Sequence, residues 1–267
     1  MSDCIVEDID GVRVIRFNRP ERMNSLGGTL LPEFMEAFAE GRTNDRVRAF
    51  LVTGEGRGWC AGADLQAIGA RNGSQATAED VPRRRAAHLD RLGSVGEAVL
   101  NIFNCDKPTI AAINGAAAGG GFGLASAFDI RIASEQARFT TVFIRRALAP
   151  DCGLSWFLPR LVGAQRAAEM FYSGRIVDAE EALKIGLVER IVPHDQLMEE
   201  GMKMARLYAK QSPVALTHTL RALHGAMTNT LEQQLQLEWT NQRACLASDE
   251  FKEGVQAFLE KREPNFA

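Results

Sequence analysis

Histidine and cysteine are scarce in this 267-residue chain, and neither is arranged as a metal site or a disulfide framework requires. The four histidines lack the spacing of metal ligands, and the five cysteines are scattered, with no CxxC pair. Isolated cysteines in odd number are typical of free thiols in a reducing compartment. We therefore expect a cytoplasmic protein with no metal ion and no disulfide bond.

Long hydrophobic runs and an excess of positive charge are also missing. No run approaches the roughly 20 apolar residues of a membrane-spanning helix. Asp3, Glu7 and Asp8 stand where a secretion signal would carry positive charge. The formal net charge is −3, whereas nucleic-acid-binding domains normally carry a basic face. These absences predict a globular protein that binds neither nucleic acid nor a membrane.

What the chain does have is a pattern of short strands alternating with helices. Asp10-Gly11 predicts a hairpin turn between two β-rich runs. Further strands are predicted at 47–53, 108–113 and 130–133, helices at 29–39, 86–104 and 119–128, and a mobile surface insertion at 69–85. Beyond residue 195 the apolar spacing is helical only. We therefore expect an α/β core over residues 1–195 and a helical region over residues 196–267.

Two glycine-rich segments, residues 58–65 and 114–123, each follow a predicted strand and lead into a helix. Glycine allows close approach of backbone or ligand, and the N–H groups at a helix start attract anions. A tight turn is the plainer alternative. Neither segment is a dinucleotide fingerprint, because Leu124 stands where a third glycine is needed, and no GK[ST] follows.

Further short motifs accompany these segments in a fixed order. The chain carries NRP at 18–20 with NSL at 24–26, CAGADL at 60–65, ING at 113–115 with GGG at 119–121, LPRLVG at 158–163, and AEEA at 179–182 with GLV at 186–188. Together they resemble the crotonase family, also called the enoyl-CoA hydratase/isomerase superfamily, over nearly the whole chain. The resemblance implies an α/β fold, a crotonase-like superhelix of repeated ββα units. It also implies a C-terminal α-helical region that forms trimers, often as dimers of trimers.

The resemblance implies an acyl thioester of coenzyme A as substrate and no separate cofactor. The backbone N–H groups of Ala63 and Gly120 match the family's oxyanion hole, which holds the thioester oxygen as it gains negative charge. The residues implied to hold coenzyme A are Ala61, Asp64 and Leu65 through main-chain contacts, and Phe258 and Lys261 from the last helix. For the last two, a packed phenylalanine and a solvated lysine are an equally simple interpretation.

Two positions depart from the family's hydratase pattern. A hydratase activates water between two glutamates, but the chain has Gly123 and Phe143 at these positions, and neither can transfer a proton. Asp151 lies on the loop that lines the acyl pocket, where family isomerases use an aspartate. Apolar surroundings would make it a stronger base, and the side chains expected around it are Phe122, Phe143, Leu148 and Trp156. Phe122 and Phe143 are also expected to contact the acyl part of the substrate. Capping of the following helix is the alternative role for Asp151.

The sequence therefore predicts an enoyl-CoA isomerase in which Asp151 moves the proton. Two alternatives stay open: an enoyl-CoA hydratase and a non-catalytic acyl-CoA-binding subunit. Aroyl-CoA dehalogenation is disfavoured, because the histidine base that this family's dehalogenase needs is replaced by Gly96. His88 lies about two helical turns earlier, roughly 12 Å away along a helix.

Overall fold

The computed structural model describes residues 2–64 and 92–266, which form ten strands and ten α-helices. The strands are β1 (Cys4–Ile9), β2 (Val12–Phe17), β3 (Ala49–Gly54), β4 (Gly58–Cys60), β5 (Thr109–Ile113), β6 (Ala116–Ala118), β7 (Ile130–Ser134), β8 (Arg138–Thr140), β9 (Ile176–Asp178) and β10 (Arg190–Val192). The helices are α1 (Leu30–Thr43), α2 (Gly93–Phe103), α3 (Gly120–Ser126), α4 (Leu154–Val162), α5 (Ala164–Ser173), α6 (Ala179–Lys184), α7 (Leu197–Ala209), α8 (Pro213–Gly225), α9 (Leu231–Leu246) and α10 (Asp249–Glu260). The insertion predicted at 69–85 lies outside the described residues.

The larger sheet has six strands in the order β1-β2-β3-β5-β7-β10. β1 and β2 form the predicted antiparallel hairpin, which turns at Asp10 and Gly11 with φ of 51° and 79°. Two successive positive φ values are typical of a tight hairpin turn. The remaining pairs are parallel, and every residue of β3 and β5 is buried. Central parallel strands covered on both faces are expected to read as continuous apolar runs.

The smaller sheet has four strands in the order β4-β6-β8-β9. β4, β6 and β8 pair in parallel, and β9 joins β8 in antiparallel orientation. In each of the pairs β3–β4, β5–β6 and β7–β8, the first strand enters the larger sheet and the second enters the smaller one. A helix follows each pair along the chain. The chain therefore winds in repeated ββα units, as predicted.

Alternating side chains of the larger sheet enter two separate hydrophobic clusters. On β2, Ile15 belongs to the larger cluster with Trp59, while its neighbour Val14 belongs to the smaller cluster. Successive side chains of a strand point to opposite faces, so both faces of this sheet are covered. The smaller cluster is completed by Met204 and Ala205 of α7. The first helix of the C-terminal region therefore packs directly on the sheet.

From Leu197 onward the described secondary structure is helical, as predicted. Helices α8, α9 and α10 leave large apolar side chains exposed, among them Leu223, Leu231, Leu235, Trp239, Phe251 and Phe258. In the parts of the chain that the structure describes, no helix combines the length and apolarity needed to cross a membrane.

Candidate active site

A cavity of about 480 Å³ opens where the two glycine-rich segments meet the loop between β8 and α4. Its lining residues come from four stretches of the chain and from helix α2. They are Glu21, Arg22, Met23, Ser25 and Leu26; Ala61, Ala63, Asp64, Gly119 and Gly120; Val142, Phe143, Arg146, Leu148, Asp151 and Cys152; and Val95 of α2. The cavity thus brings together Ala63, Gly120 and Asp151, which the sequence places far apart.

The backbone of the first glycine-rich segment forms one edge of the cavity. Ala63 pairs with Leu26 in a single parallel bridge, and the Leu26 N–H donates to the Gly62 carbonyl at 2.7 Å. Gly62 has a φ of 83°, a conformation that favours glycine. A Cβ at this position would lie 2.6 Å from the Ala118 oxygen and 3.1 Å from the Gly120 nitrogen. Glycine therefore lets the two segments touch.

Two backbone N–H groups are available at this junction. Gly120 is the first residue of α3, and the first N–H groups of a helix have no intrahelical partner. Across residues 2–64 and 92–266, neither the Ala63 N–H nor the Gly120 N–H donates to another group. Both residues line the cavity. Paired backbone donors of this kind can stabilise a developing oxyanion.

Two buried asparagines fix the strand that leads to Ala63. The Asn24 side-chain amide donates to the Gly58 carbonyl at 2.7 Å and to the Glu55 carbonyl at 2.9 Å. The Asn114 amide donates to the same Gly58 oxygen at 3.3 Å and to the Gly56 oxygen at 2.8 Å. These two asparagines belong to the NSL and ING motifs, so both motifs act on the start of β4.

An ion pair joins the NRP motif to the end of the first glycine-rich segment. The Arg19 guanidinium donates to the Ser25 carbonyl at 2.7 Å and to the Asp64 carboxylate at 3.2 Å. The Arg19 and Asp64 side chains are only 13% and 11% exposed, so water screens this pair less than a surface pair. The Asp64 carboxylate is thus engaged within the protein, although the residue borders the cavity.

Asp151 occupies the loop between β8 and α4, and its surroundings differ from the prediction. The residue is exposed. Phe143 and Leu148 line the same cavity, but Leu148 is itself 52% exposed, and Trp156 packs on Phe103 instead, with ring centroids 5.3 Å apart. The expected apolar enclosure is therefore absent from the described chain, because this loop lies at the surface.

The alternative role of Asp151 as a helix cap does not match the structure either. Helix α4 begins after Gly153, which is its N-cap and offers no side chain for capping. Asp151 contributes its backbone carbonyl, which accepts from the Leu154 N–H at 3.0 Å. The carboxylate is therefore not needed to start the helix.

The neighbouring residue, Cys152, lines the same cavity. Burial, together with a hydrogen bond to the Asp151 carboxylate and its negative charge, raises the pKa of the Cys152 thiol above its usual range. Burial also raises the pKa of the Cys60 thiol to about 12. Nucleophilic cysteines need a lowered pKa, so neither thiol is suited to covalent catalysis.

Three predicted substrate contacts lie away from this cavity. Phe122 is fully buried and packs on Phe139 with ring centroids 5.5 Å apart, because α3 turns this position into the core. Phe258 is 82% exposed and borders a second cavity with Phe251. Lys261 follows the end of α10 as its C-cap. Within one chain these residues do not border Asp151.

The other predicted contacts have mixed outcomes. Ala61 lines the cavity, but its N–H already donates to the Met23 carbonyl at 3.0 Å. Leu65 lies outside the described residues. Sequence reasoning missed Arg22 and Met23, although they stand between the NRP and NSL motifs, and that position was the available signal. It also missed Arg146, for which the loop sequence offers no motif.

A metal site was not expected from the sequence. Among the residues that the structure describes, no group of three or more His, Cys, Asp or Glu side chains is placed to hold a metal ion. The chemistry that the cavity offers directly is hydrogen bonding by backbone N–H groups and proton transfer by a carboxylate.

Comparisons with known proteins show which family this chain resembles. A family model described as enoyl-CoA hydratase/isomerase matches residues 7–267. The 1,2-epoxyphenylacetyl-CoA isomerase of Escherichia coli is 36% identical over 100% of this chain and 99% of the relative. The crotonyl-CoA hydratase of Syntrophomonas wolfei is 32% identical over 99% and 98%. The crystal structure of an enoyl-CoA hydratase from Bacillus anthracis superposes with a TM-score of 0.87 at 32% identity, covering 99% of both chains.

Proposed function

The chain belongs to the enoyl-CoA hydratase/isomerase family, and on that premise we propose that it is an enoyl-CoA isomerase that moves a double bond by proton transfer at Asp151. The observation that carries the proposal is the shared cavity. Asp151 and two backbone donors line it, while the positions of the hydratase glutamates hold Gly123 and Phe143.

Among the described residues, three acids border the cavity, and Asp151 is the preferred base. Asp64 is paired with Arg19, and Glu21 lies in the turn at Pro20–Arg22. Asp151 is next to Cys152, whose sulfur lies only 3.1 Å from the place where a Cβ on Gly120 would stand. The residue that follows Asp151 therefore contacts one oxyanion donor, whereas Asp64, which follows the other donor, has its carboxylate engaged by Arg19.

The proposed reaction uses these groups in two proton transfers. The thioester oxygen of a 3-enoyl-CoA accepts hydrogen bonds from the Ala63 and Gly120 N–H groups. The Asp151 carboxylate removes a proton from the carbon next to the carbonyl, and the electron pair delocalises as a dienolate. The protonated carboxyl then returns the proton to the far end of the dienolate, which leaves the double bond conjugated with the thioester. General acid–base catalysis and a backbone oxyanion donor each contribute roughly a hundredfold or more in rate.

Coenzyme A enters as part of the substrate, and the proposal includes no separate cofactor. The arginines Arg22 and Arg146, which line the cavity, are suited to the phosphate groups of coenzyme A. The backbone of Ala61 and Asp64 lies on the same wall. Leu65, Phe258 and Lys261 stay predicted contacts, and the last two would have to come from another copy of the chain.

An enoyl-CoA hydratase is the second candidate. The reason is a relative named crotonyl-CoA hydratase, which aligns with this chain over 98% of the relative's length. A non-catalytic acyl-CoA-binding subunit is the third. The three differ in the products that they form, so a substrate panel separates them.

The test is product analysis with purified protein. We expect 3-hexenoyl-CoA to be converted to 2-hexenoyl-CoA, and crotonyl-CoA to gain water slowly or not at all. 1,2-Epoxyphenylacetyl-CoA belongs in the panel, since the Escherichia coli relative is named for its isomerisation. Fast hydration of crotonyl-CoA without isomerisation of 3-hexenoyl-CoA would contradict the proposal in favour of the hydratase. Binding of all three without any product would favour the silent subunit.

We also propose that helices α8–α10 mediate assembly into a trimer or a dimer of trimers. Leu231, Leu235 and Trp239 follow one another at helical spacing on α9 and are 76%, 55% and 61% exposed. Contiguous exposed apolar surface is typical of protein–protein contacts. Light scattering should give three or six times the 29.3 kDa of one chain, whereas a monomer at micromolar concentration would contradict this assignment.

A further inference from the structure

Helix α3 presents two glycines to the turn that carries Asp151. Gly120 and Gly123 are three residues apart and so lie on one face of the helix. A Cβ on Gly120 would lie 3.1 Å from the Cys152 sulfur, and a Cβ on Gly123 would lie 2.5 Å from the Cys152 carbonyl oxygen and 2.7 Å from its Cβ. Both glycines therefore contact the same residue, which directly follows Asp151 in the chain.

The turn has little freedom to move away from this face. Cys152 has a φ of 52°, which is rare for a residue with a side chain. Gly153 starts α4 with a φ of 73°, and a Cβ there would lie 3.0 Å from the Phe157 ring. Heavy atoms at 2.5 Å overlap strongly, and here the overlapping atom is backbone. A side chain at position 123 would thus displace the turn.

We propose that Gly123 is a positioning residue for the reaction: it lets the Asp151–Gly153 turn sit against α3, and this contact sets where Asp151 stands in the cavity. The inference rests on the proposed function, since it assigns Gly123 a role through Asp151. It also gives a structural reason for glycine at position 123. In this chain position 123 does not simply lack a glutamate, because the turn that carries the acid occupies the space that a side chain would need.

The inference separates two ways to place an acid at the reaction site. A glutamate side chain at position 123 and the Cys152 backbone compete for one volume. Gly123→Glu is therefore expected to cost isomerase activity without supplying hydration, even when combined with Phe143→Glu. The reacting carboxylate can be carried by position 123 of α3 or by Asp151 in the turn, but the two positions cannot both hold an acid in the cavity.

The experiment is a double-mutant cycle between Gly123→Ala and Asp151→Asn, assayed with 3-hexenoyl-CoA. A shift of about 1 Å in a catalytic group can cost roughly a hundredfold in rate, so we expect kcat of Gly123→Ala to fall by that order. KM should stay within about threefold, since lost transition-state interactions lower kcat while leaving ground-state binding. In the Asp151→Asn background the same alanine should cost almost nothing further.

Gly254→Ala on α10 is the matched control, because a Cβ there meets only the Phe266 ring at 3.8 Å, an ordinary contact. It should leave kcat unchanged. A crystal structure of Gly123→Ala should show the turn displaced from α3. If Gly123→Ala does not fold, Gly123→Ala with Cys152→Gly removes one overlapping atom, frees the φ of position 152 and enters the same cycle.

The outcomes separate the two claims. Full turnover by Asp151→Asn alone contradicts the proposed function, and the positioning role fails with it. A slow Asp151→Asn together with equal losses from Gly123→Ala in both backgrounds leaves the proposed function standing and overturns the positioning role. An unmoved turn in the Gly123→Ala crystal structure overturns it as well.

Discussion

The two sides of the cavity are built in opposite ways. The side that carries Ala63 and Gly120 consists of backbone, and buried side chains such as Asn24 and Asn114 hold it through hydrogen bonds. The side that carries Asp151 is an exposed loop. Main-chain donors need a fixed frame because their positions cannot be adjusted by side-chain rotation. A carboxylate can be positioned from a surface loop, provided that the loop packs against a rigid part of the fold.

The loop carries unfavourable backbone conformations that the two glycine-rich segments avoid, although Met23 and Asn24, which support those segments, also have positive φ of 52° and 53°. Ala147 and Cys152 have φ of 54° and 52°, and a left-handed conformation costs a residue with a Cβ about 1–2 kcal/mol. On the donor side, the positive φ values at Gly62 and Gly119 fall on glycine, where they cost little. Contacts with the rest of the fold must offset the cost in the loop, and the close approach of Cys152 to Gly123 is one of these contacts. We therefore expect the largest loss of turnover from a substitution in the loop. We expect the clearest loss of folding stability from a substitution among the side chains that hold the donor side.

The largest effect is expected from Asp151→Asn. The substitution keeps the shape and removes the base, so kcat for 3-hexenoyl-CoA should fall by about two to four orders of magnitude. The affinity for coenzyme A, measured by calorimetry, should stay nearly the same. Glu21→Gln is the matched control, because Glu21 borders the same cavity without touching the donors. Equal losses from the two substitutions would remove the reason for assigning the base to Asp151.

The next largest effect is expected from Gly120→Pro. Proline is well tolerated at the first position of a helix, so α3 should still form, but one oxyanion donor is lost. Turnover should fall by about a hundred- to a thousandfold. Gly120→Ala keeps the N–H and brings a Cβ to 3.1 Å from the Cys152 sulfur, which a small shift can relieve. It should be far milder, and similar losses from proline and alanine would argue against a backbone donor here.

A third effect concerns stability on the donor side. Asn114→Ala leaves the Gly54 N–H and the Gly56 carbonyl without the side-chain partner that each has now. A buried group left unsatisfied costs about 1–3 kcal/mol, and urea unfolding should show a loss of that size. Asn101→Ala on α2 serves as the helical control and should change stability by a few tenths of a kcal/mol. If the two variants unfold alike, the asparagine does not hold the donor side.

The smallest effect is expected from Cys152→Ala. Burial raises the pKa of its thiol, so the thiol stays protonated and its removal takes away no reacting group. A thiol is only a weak hydrogen-bond donor, so its removal should cost no more than about 1 kcal/mol, which corresponds to a change in kcat of at most roughly fivefold. A loss of a thousandfold or more would show that the thiol itself takes part in the chemistry.

The same contrast explains what the sequence could and could not predict. The meeting of the two glycine-rich segments at one cavity was predictable, because close approach of two backbones requires glycine at fixed places, and glycine spacing is visible in a sequence; the donor role of Ala63 and Gly120 stays a prediction. The loop side was only partly predictable. Asp151 was proposed as the base because the usual glutamates are absent, and this role stays a prediction; its exposure depends on how the loop packs. Phe122 was misplaced because a helix of seven residues gives too short a pattern to tell its core face from its cavity face.

Gly123 shows the limit most clearly. In the sequence, this position differs from the hydratase pattern only in that glycine stands where a hydratase has glutamate. Its contact with Cys152 joins residues that are 29 positions apart in the numbering, and no local pattern predicts such an approach. Phe258 and Lys261 were likewise assigned from motif position, whereas packing of the last helix decides which cavity they border.

The most direct test of the account follows the proton itself. 3-Hexenoyl-CoA deuterated at C2 is incubated with the wild-type enzyme and with Asp151→Asn, and the deuterium at C2 is followed by mass spectrometry as the double bond moves. The account predicts that the wild-type enzyme removes deuterium from C2 in step with isomerisation. It predicts that Asp151→Asn binds the thioester but slows both processes by the same factor. Loss of C2 deuterium at the wild-type rate in Asp151→Asn would contradict the claim that this carboxylate is the base.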